Sequence, residues 1–167
     1  EKMIPQRKPG EHAGGKWAIR YPSAVQGQGI IEIDLNYLDR VPLWTIARVN
    51  SFKLGEFQAN NIPVQDLHEL ASGKLRALFS RHSSRDLFDA HYLLTKSGLE
   101  VKKLRIAFVV YLAMSDVVVE NLTVDAARYD AIDLKNRLFP VLRQMTLPRK
   151  NHEVIVWANK MLDELKS

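Results

Sequence analysis

The sequence predicts an α+β fold from two observations. Apolar and polar residues alternate through the first third of the chain, and from Asp66 onward the apolar period lengthens to that of a helix. The resulting division is a β-rich part over residues 1–64 and a helical lobe over residues 65–167. A chain of 167 residues, 46% hydrophobic and 26% charged, can bury a core without disulfide or metal staples.

The elements follow in order. Residues 1–15 are rich in Lys, Arg, Pro and Gly without an apolar period, and read as a loop or an extension lying on another element. Residues 16–21 alternate from Lys16 to Tyr21, and residues 30–37 set Ile31, Ile33 and Leu35 against Glu32, Asp34 and Asn36, so both are strands. Gly27 and Gly29 suit the connection between antiparallel neighbours. On this pattern the Ile31, Ile33 and Leu35 face is core and the acidic face is open. Shorter extended stretches are expected over 44–49 and 57–64, with Pro63 marking the end of the second. Asp66 followed by Glu69 is a capping box that starts a helix. Further helices are expected over 84–95, 101–115, 129–144 and 149–165, the last with Val154, Trp157, Ala158, Met161, Leu162 and Leu165 on one stripe. Residues 116–128 are irregular, loop or strand.

Composition excludes several kinds of chemistry. The absence of cysteine removes thiol nucleophiles, thiolate zinc sites and disulfide frameworks, and it accords with a reducing cytosol, so a cytoplasmic location is expected. The longest apolar run, residues 106–114, is too short to span a bilayer, so no membrane association is expected. His68, His82, His91 and His152 lack zinc-site spacing, and no P-loop, nucleophile elbow or dinucleotide fingerprint is present. Lys and Arg number 24 against 19 Asp and Glu, a net charge of +5, which favours phosphate-bearing partners. The excess concentrates in Arg76, Arg81, His82 and Arg85, then in Lys102, Lys103, Arg105, Arg143, Arg149 and Lys150.

Two placements carry chemistry. Glu32, Asp34 and Asn36 share one strand face, either as a solvated outer face or as hard oxygen ligands for Mg²⁺. Lys74 falls in the middle of the apolar stripe Leu67, Leu70, Ala71, Leu75 and Leu78, with Arg81 two turns on. An ammonium there snorkels to water, pairs with a carboxylate, or aims into a cleft to hold a triphosphate opposite Asp34 or Asp86. Asp86 also has a complete structural explanation as a first-turn acid behind the Ser83-Ser84 cap, and Asp89 lies on the polar side. Arg85 beside Asp86 reads as a surface pair. Trp17, Tyr21, Tyr37 and Trp44 near Lys16 and Arg20 could stack bases, although core packing is the commoner fate of such residues.

Several segments together resemble the AbiEii/AbiGii toxin family of nucleotidyltransferases. They are Gly15-Lys16-Trp17-Ala18-Ile19-Arg20-Tyr21, Ile31-Glu32-Ile33-Asp34-Leu35-Asn36-Tyr37, Arg40-Val41-Pro42-Leu43-Trp44, the run Asp66-Leu67-His68-Glu69-Leu70-Ala71-Ser72-Gly73-Lys74-Leu75-Arg76-Ala77-Leu78, and Arg81 with Arg85-Asp86-Leu87-Phe88-Asp89. The resemblance implies a polymerase-β-like minimal nucleotidyltransferase core, here the remainder of its mixed sheet, followed by a helical C-terminal lobe. It implies a toxin of a toxin-antitoxin or phage-defence pair that transfers a nucleotide from a nucleoside triphosphate, with Mg²⁺ as cofactor, tRNA ends as acceptors in some relatives and a cognate antitoxin as partner. By motif, Asp34 matches a core-strand carboxylate that would serve as metal ligand or activate the acceptor, Lys74 the lysine of the third motif, a phosphate-binding cation, and Asp86, with Asp89 second, the acid of the fourth, a polar partner in the cleft. Lys16, Arg20, Arg81 and Arg85 would add phosphate contacts.

The family's first motif, Gly followed by Ser or Thr, and its second, Asp-x-Asp, belong upstream of Gly15, and Pro9-Gly10-Glu11 is no substitute. The expectation is therefore a C-terminal part of a longer protein, without catalysis if these residues were the whole. The other readings are a non-catalytic module that binds RNA or an antitoxin, and a degenerate family member that retains only the fold.

Overall fold

The computed structural model describes residues 6–8, 14–24, 27–37, 41–96, 98–115, 117, 122–142 and 151–166. They fall into two compact units, Glu1–Pro42 and Leu43–Ser167. The class is α+β, as the change of apolar period predicts.

In the first unit, strands β1 (Gln6–Lys8), β2 (Gly14–Pro22) and β3 (Gln28–Asn36) form an antiparallel sheet in the order β1-β2-β3. The register pairs Trp17 with Ile33, Ile19 with Ile31 and Tyr21 with Gly29 on one face, and Lys16 with Asp34 and Ala18 with Glu32 on the other. The Trp17 indole lies over Gly15, where a Cβ would stand 2.1 Å from the ring, so glycine makes room for the aromatic. The period-two reading placed both strands, but the face expected to be core is not covered: Ile31, Ile33 and Leu35 are 50%, 40% and 47% exposed. Alternation separates the two faces of a strand and does not supply the layer that would bury one of them.

The second unit begins with an irregular hairpin. Strands β4 (Ala47–Val49) and β5 (Ile62–Val64) pair antiparallel, and an isolated bridge joins Leu54 to Phe57 across a turn where Gly55 adopts φ +59°. These strands are shorter than the stretches expected over 44–49 and 57–64: Ser51 and Asn50 side chains bond the backbone at Ala59 and Asn61 in place of the ladder, and the Trp44 N–H goes to Glu69.

Helices α1 (Leu67–Arg81), α2 (Ser84–Lys96) and α3 (Val101–Ala113) follow, with α1 packed on both others. Asp66 caps α1 by accepting from the His68 N–H at 2.8 Å. The other half of the expected capping box does not form. Glu69, 1% exposed, instead accepts from the Trp44 N–H at 3.2 Å and, through its second oxygen, from Gln65 Nε2 and the Tyr111 hydroxyl, each at 3.2 Å. His82 ends α1 in a left-handed conformation at φ 51°.

The helix expected over 129–144 is broken. A single turn, α4 (Ala131–Asp133), leads into a π-type turn at Leu134–Leu138 and a 3₁₀ turn at Phe139–Val141. Pro140 has no N–H to give and crowds the carbonyl four residues back, which prevents a regular α-helix. Of the irregular stretch 116–128, the described part is a 3₁₀ turn at Val124–Ala126 and coil. Helix α5 (Asn151–Lys166) closes the chain. Leu78, Leu87, Ala127, Leu134, Leu138, Ala158 and Met161 form the core of this unit, with Trp157 and Leu162 packed against it. The expected α5 stripe therefore faces inward at these positions. The side chains of Val154 and Leu165 lie outside the described residues, as do Arg40, Arg143, Arg149, Lys150 and the Pro9-Gly10-Glu11 segment. Among the described residues no helix is long and apolar enough to cross a membrane.

Candidate functional site

Helices α1 and α2 are joined by only His82 and Ser83, so they run back antiparallel and their facing side chains meet in order. Near the turn, Arg81 donates to Asp86 through both arms of its fork, Nε to Oδ2 at 2.6 Å and Nη2 to Oδ1 at 2.9 Å. Two turns earlier on α1, Lys74 Nζ is 2.7 Å from Asp89 Oδ2 and 4.0 Å from Asp86 Oδ1. Lys74 thus neither snorkels to water nor lies unpaired in the apolar stripe. Its one-third-exposed side chain bridges to the neighbouring helix. The Arg85 and Asp86 side chains do not pair with each other. Arg85 Nε donates to the Arg137 carbonyl at 2.9 Å, while Asp86 is 1% exposed and faces α1.

These residues line one cleft of about 760 Å³, together with His82, Ser83, Asp130, Ile132, Asp133, Asn136 and Arg137. Four cations, Lys74, Arg81, Arg85 and Arg137, stand there with four carboxylates, Asp86, Asp89, Asp130 and Asp133. Two of the five N–H donors of Arg81 go to Asp86. The hydrogen bond to Asp86 raises the Arg81 pKa further and fixes its charge.

Asp133 builds the floor from a distance. Its Oδ2 accepts from the Ser84 N–H at 2.8 Å, the Ser84 hydroxyl at 2.6 Å and the Ser83 hydroxyl at 3.2 Å, so it caps α2. Burial alone would push its carboxyl up, but the Ser84 and Ser83 bonds and the Arg137 charge outweigh that and hold it below the usual carboxylate range. Asp130, Asp133 and Arg137 were not singled out from the sequence. The local signals that could have found them are the i,i+4 spacing of Asp133 and Arg137, which pair at 3.4 Å, and the Asp130 side chain, which caps α4 by accepting from the Ile132 N–H at 2.8 Å.

Asp34, Lys16 and Arg20 stand on the sheet of the first unit. Lys16 Nζ is 3.5 Å from Asp34 Oδ1 and 3.8 Å from Glu32 Oε2, with the Asp34 side chain 68% exposed. The lysine expected to contact phosphate is thus paired across the strands with the carboxylate expected to hold metal. Among the described residues no three His, Asp or Glu side chains gather as a metal-holding group.

Comparison with known proteins agrees with the sequence motifs. The family model described as nucleotidyl transferase AbiEii toxin, type IV toxin-antitoxin system, matches residues 1–152. No curated protein and no solved structure matches the chain. With that model covering the chain as far as the first turn of α5, the chain belongs to the AbiEii nucleotidyl transferase toxin family.

Proposed function

We propose that this protein transfers a nucleotide from a nucleoside triphosphate to an acceptor RNA, a tRNA end, as the toxin of a pair whose antitoxin is its protein partner. The observation that carries this reading is the convergence of Lys74, Arg81 and Arg85 with Asp86 and Asp89 in one cleft. Nucleotidyl transfer develops charge on the departing pyrophosphate, and pre-placed cations stabilise it without reorganisation. Lys74 is the proposed phosphate-binding cation, and Arg81 and Arg85 supply fork donors. Asp86 orients Arg81, and Asp89 holds Lys74 until a phosphate competes for it. Lys16 and Arg20, on the sheet of the first unit, are proposed separately as phosphate contacts.

The divalent metal that nucleotidyltransferases generally use is proposed to be Mg²⁺. A single exposed carboxylate suits this ion, because Mg²⁺ takes one or two carboxylates, fills its other positions with water or phosphate oxygens and does not need a protein cage. Asp34 is the proposed carboxylate, a hard oxygen donor that would hold the metal. When bound, the ion would neutralise phosphate charge.

The test is transfer of label from each nucleoside triphosphate to total tRNA with Mg²⁺, using the natural reading frame, in wild type and Lys74→Ala. Label that depends on Lys74 is the expected result. No label from any triphosphate, or label retained in the variant, would overturn the reading. A second reading, a non-catalytic module binding RNA or antitoxin, is favoured by one observation: Lys74 and Arg81 are already satisfied by Asp89 and Asp86. Under it, Lys74→Ala lowers the thermal midpoint and leaves antitoxin and RNA binding unchanged.

A further inference from the structure

A second groove lies along the same helical hairpin. Leu70 and Lys74, one turn apart on α1, face Phe88, Asp89, Tyr92 and Leu93 of α2 around a space of about 330 Å³. It shares Lys74 and Asp89 with the larger cleft, so the Lys74–Asp89 pair is the partition between an apolar compartment and a charged one. The antiparallel order of the contacts fixes the sequence along the seam. Arg81, Arg85 and Asp86 stand at the turn end, Lys74 and Asp89 midway, and Leu70, Tyr92 and Leu93 at the far end.

The walls of the groove differ in exposure. Leu93 is buried and Phe88 is braced from behind by Trp157, with ring centroids 6.0 Å apart, while Leu70 and Tyr92 are 40% and 57% exposed at the rim. An exposed aromatic over an apolar floor suits a flat, weakly polar ring that stacks on it. A ligand that fills both compartments therefore has such a ring at one end and anionic groups at the other. From Leu70 to Arg81 the helix rises roughly 16 Å, the scale of a base, a ribose and a phosphate chain laid in line.

We propose that the groove between Leu70, Phe88, Tyr92 and Leu93 takes the base of the nucleoside triphosphate, with the ribose beside Lys74 and Asp89 and the phosphates in the Arg81–Arg85 cleft. This assignment rests on the nucleotidyl-transfer reading and adds to it where the nucleoside lies. Because every base has a stacking face, the groove discriminates weakly among the four.

The experiment is calorimetric titration of the whole protein with ATP and, separately, with inorganic tripolyphosphate, both with Mg²⁺. Wild type should bind ATP more tightly than tripolyphosphate. Tyr92→Ala should weaken ATP roughly 5- to 100-fold and leave tripolyphosphate unchanged, and Tyr92→Phe should retain both affinities. Equal affinity of wild type for ATP and tripolyphosphate, or an unchanged ATP affinity in Tyr92→Ala, would overturn the base site while leaving the phosphate cleft standing. Parallel loss of both ligands in Tyr92→Ala would mark Tyr92 as structural and overturn it too. So would weakened binding of acceptor tRNA in place of ATP, which would give the groove to the acceptor's terminal base. Wild type that binds neither ATP nor tripolyphosphate would sink the nucleotidyl-transfer reading, and the base site with it.

Discussion

Arg81 and Asp86 close a bidentate pair, at 2.6 and 2.9 Å, across the turn between α1 and α2, with the carboxylate buried and the guanidinium side chain 64% exposed. Removing the arginine strands a buried charge whose remaining cation, Lys74, is 4.0 Å away. Arg81→Ala should destabilise the fold by roughly 2–3 kcal/mol, near the lower end for a broken buried pair because one partner is wet. Arg81→Lys should restore only part of this, since an ammonium cannot reproduce the fork. Urea unfolding of the three proteins measures both effects.

Lys74 behaves oppositely. Its removal leaves Asp86 with Arg81, and Asp89, already 39% exposed, is left to water. Lys74→Ala should therefore cost under about 1 kcal/mol of stability. Affinity for tripolyphosphate should fall roughly 10- to 100-fold, the loss of one charge-assisted contact. Thermal unfolding beside calorimetric titration separates the two; a large fall in the midpoint with unchanged affinity would make the lysine structural.

Asp66 makes acid stability depend on one carboxylate. Burial raises its pKa, but Lys103 at 2.6 Å and the His68 backbone and ring N–H groups outweigh that and hold it at about 2. The His68 Nε2 accepts from the Glu100 N–H at 2.9 Å, so the ring proton is on Nδ1, toward Asp66. A depressed folded pKa contributes stability above the ordinary value of 3.8 and loses it as pH falls through about 2. Allowing for solvent around the pair, on the order of 1–2 kcal/mol should disappear between about pH 5 and pH 2. Asp66→Asn keeps the helix cap and should flatten that part of the profile, as denaturant midpoints across the range would show.

Glu69 gathers three donors, the Trp44 N–H, Gln65 and the Tyr111 hydroxyl of α3, the last two also bonded to each other. Tyr111→Phe removes one donor and should cost about 1 kcal/mol. Glu69→Ala leaves the buried Tyr111 hydroxyl and the half-buried Trp44 N–H without their acceptor and should cost on the order of 3 kcal/mol, at or beyond the cost of one unmet group. Equal effects of the two substitutions would show that Glu69 is bypassed by water.

The sequence by itself determined the elements whose causes are local. The 3.6-residue period and the Asp66 cap place α1, and the adjacency of α1 and α2 through His82 and Ser83 brings Lys74 to Asp89 and Arg81 to Asp86. Lys74 stood out because a charge in an apolar stripe requires a partner. Only the tertiary structure decided which partners arrive from far along the chain. Asp133 reaches Ser84 across 49 residues, and the Arg137 carbonyl reaches Arg85 across 52, through a segment whose regular helix Pro140 interrupts. The same limit explains Glu69, whose capping spacing is local while its Trp44 and Tyr111 partners are 25 and 42 residues away. It also explains β3, where alternation marked Ile31, Ile33 and Leu35 as one face although burial needs a second layer. Periodicity and caps are properties of neighbouring residues, whereas the cleft and the cover of a sheet face depend on contacts between distant ones, which local pattern does not encode.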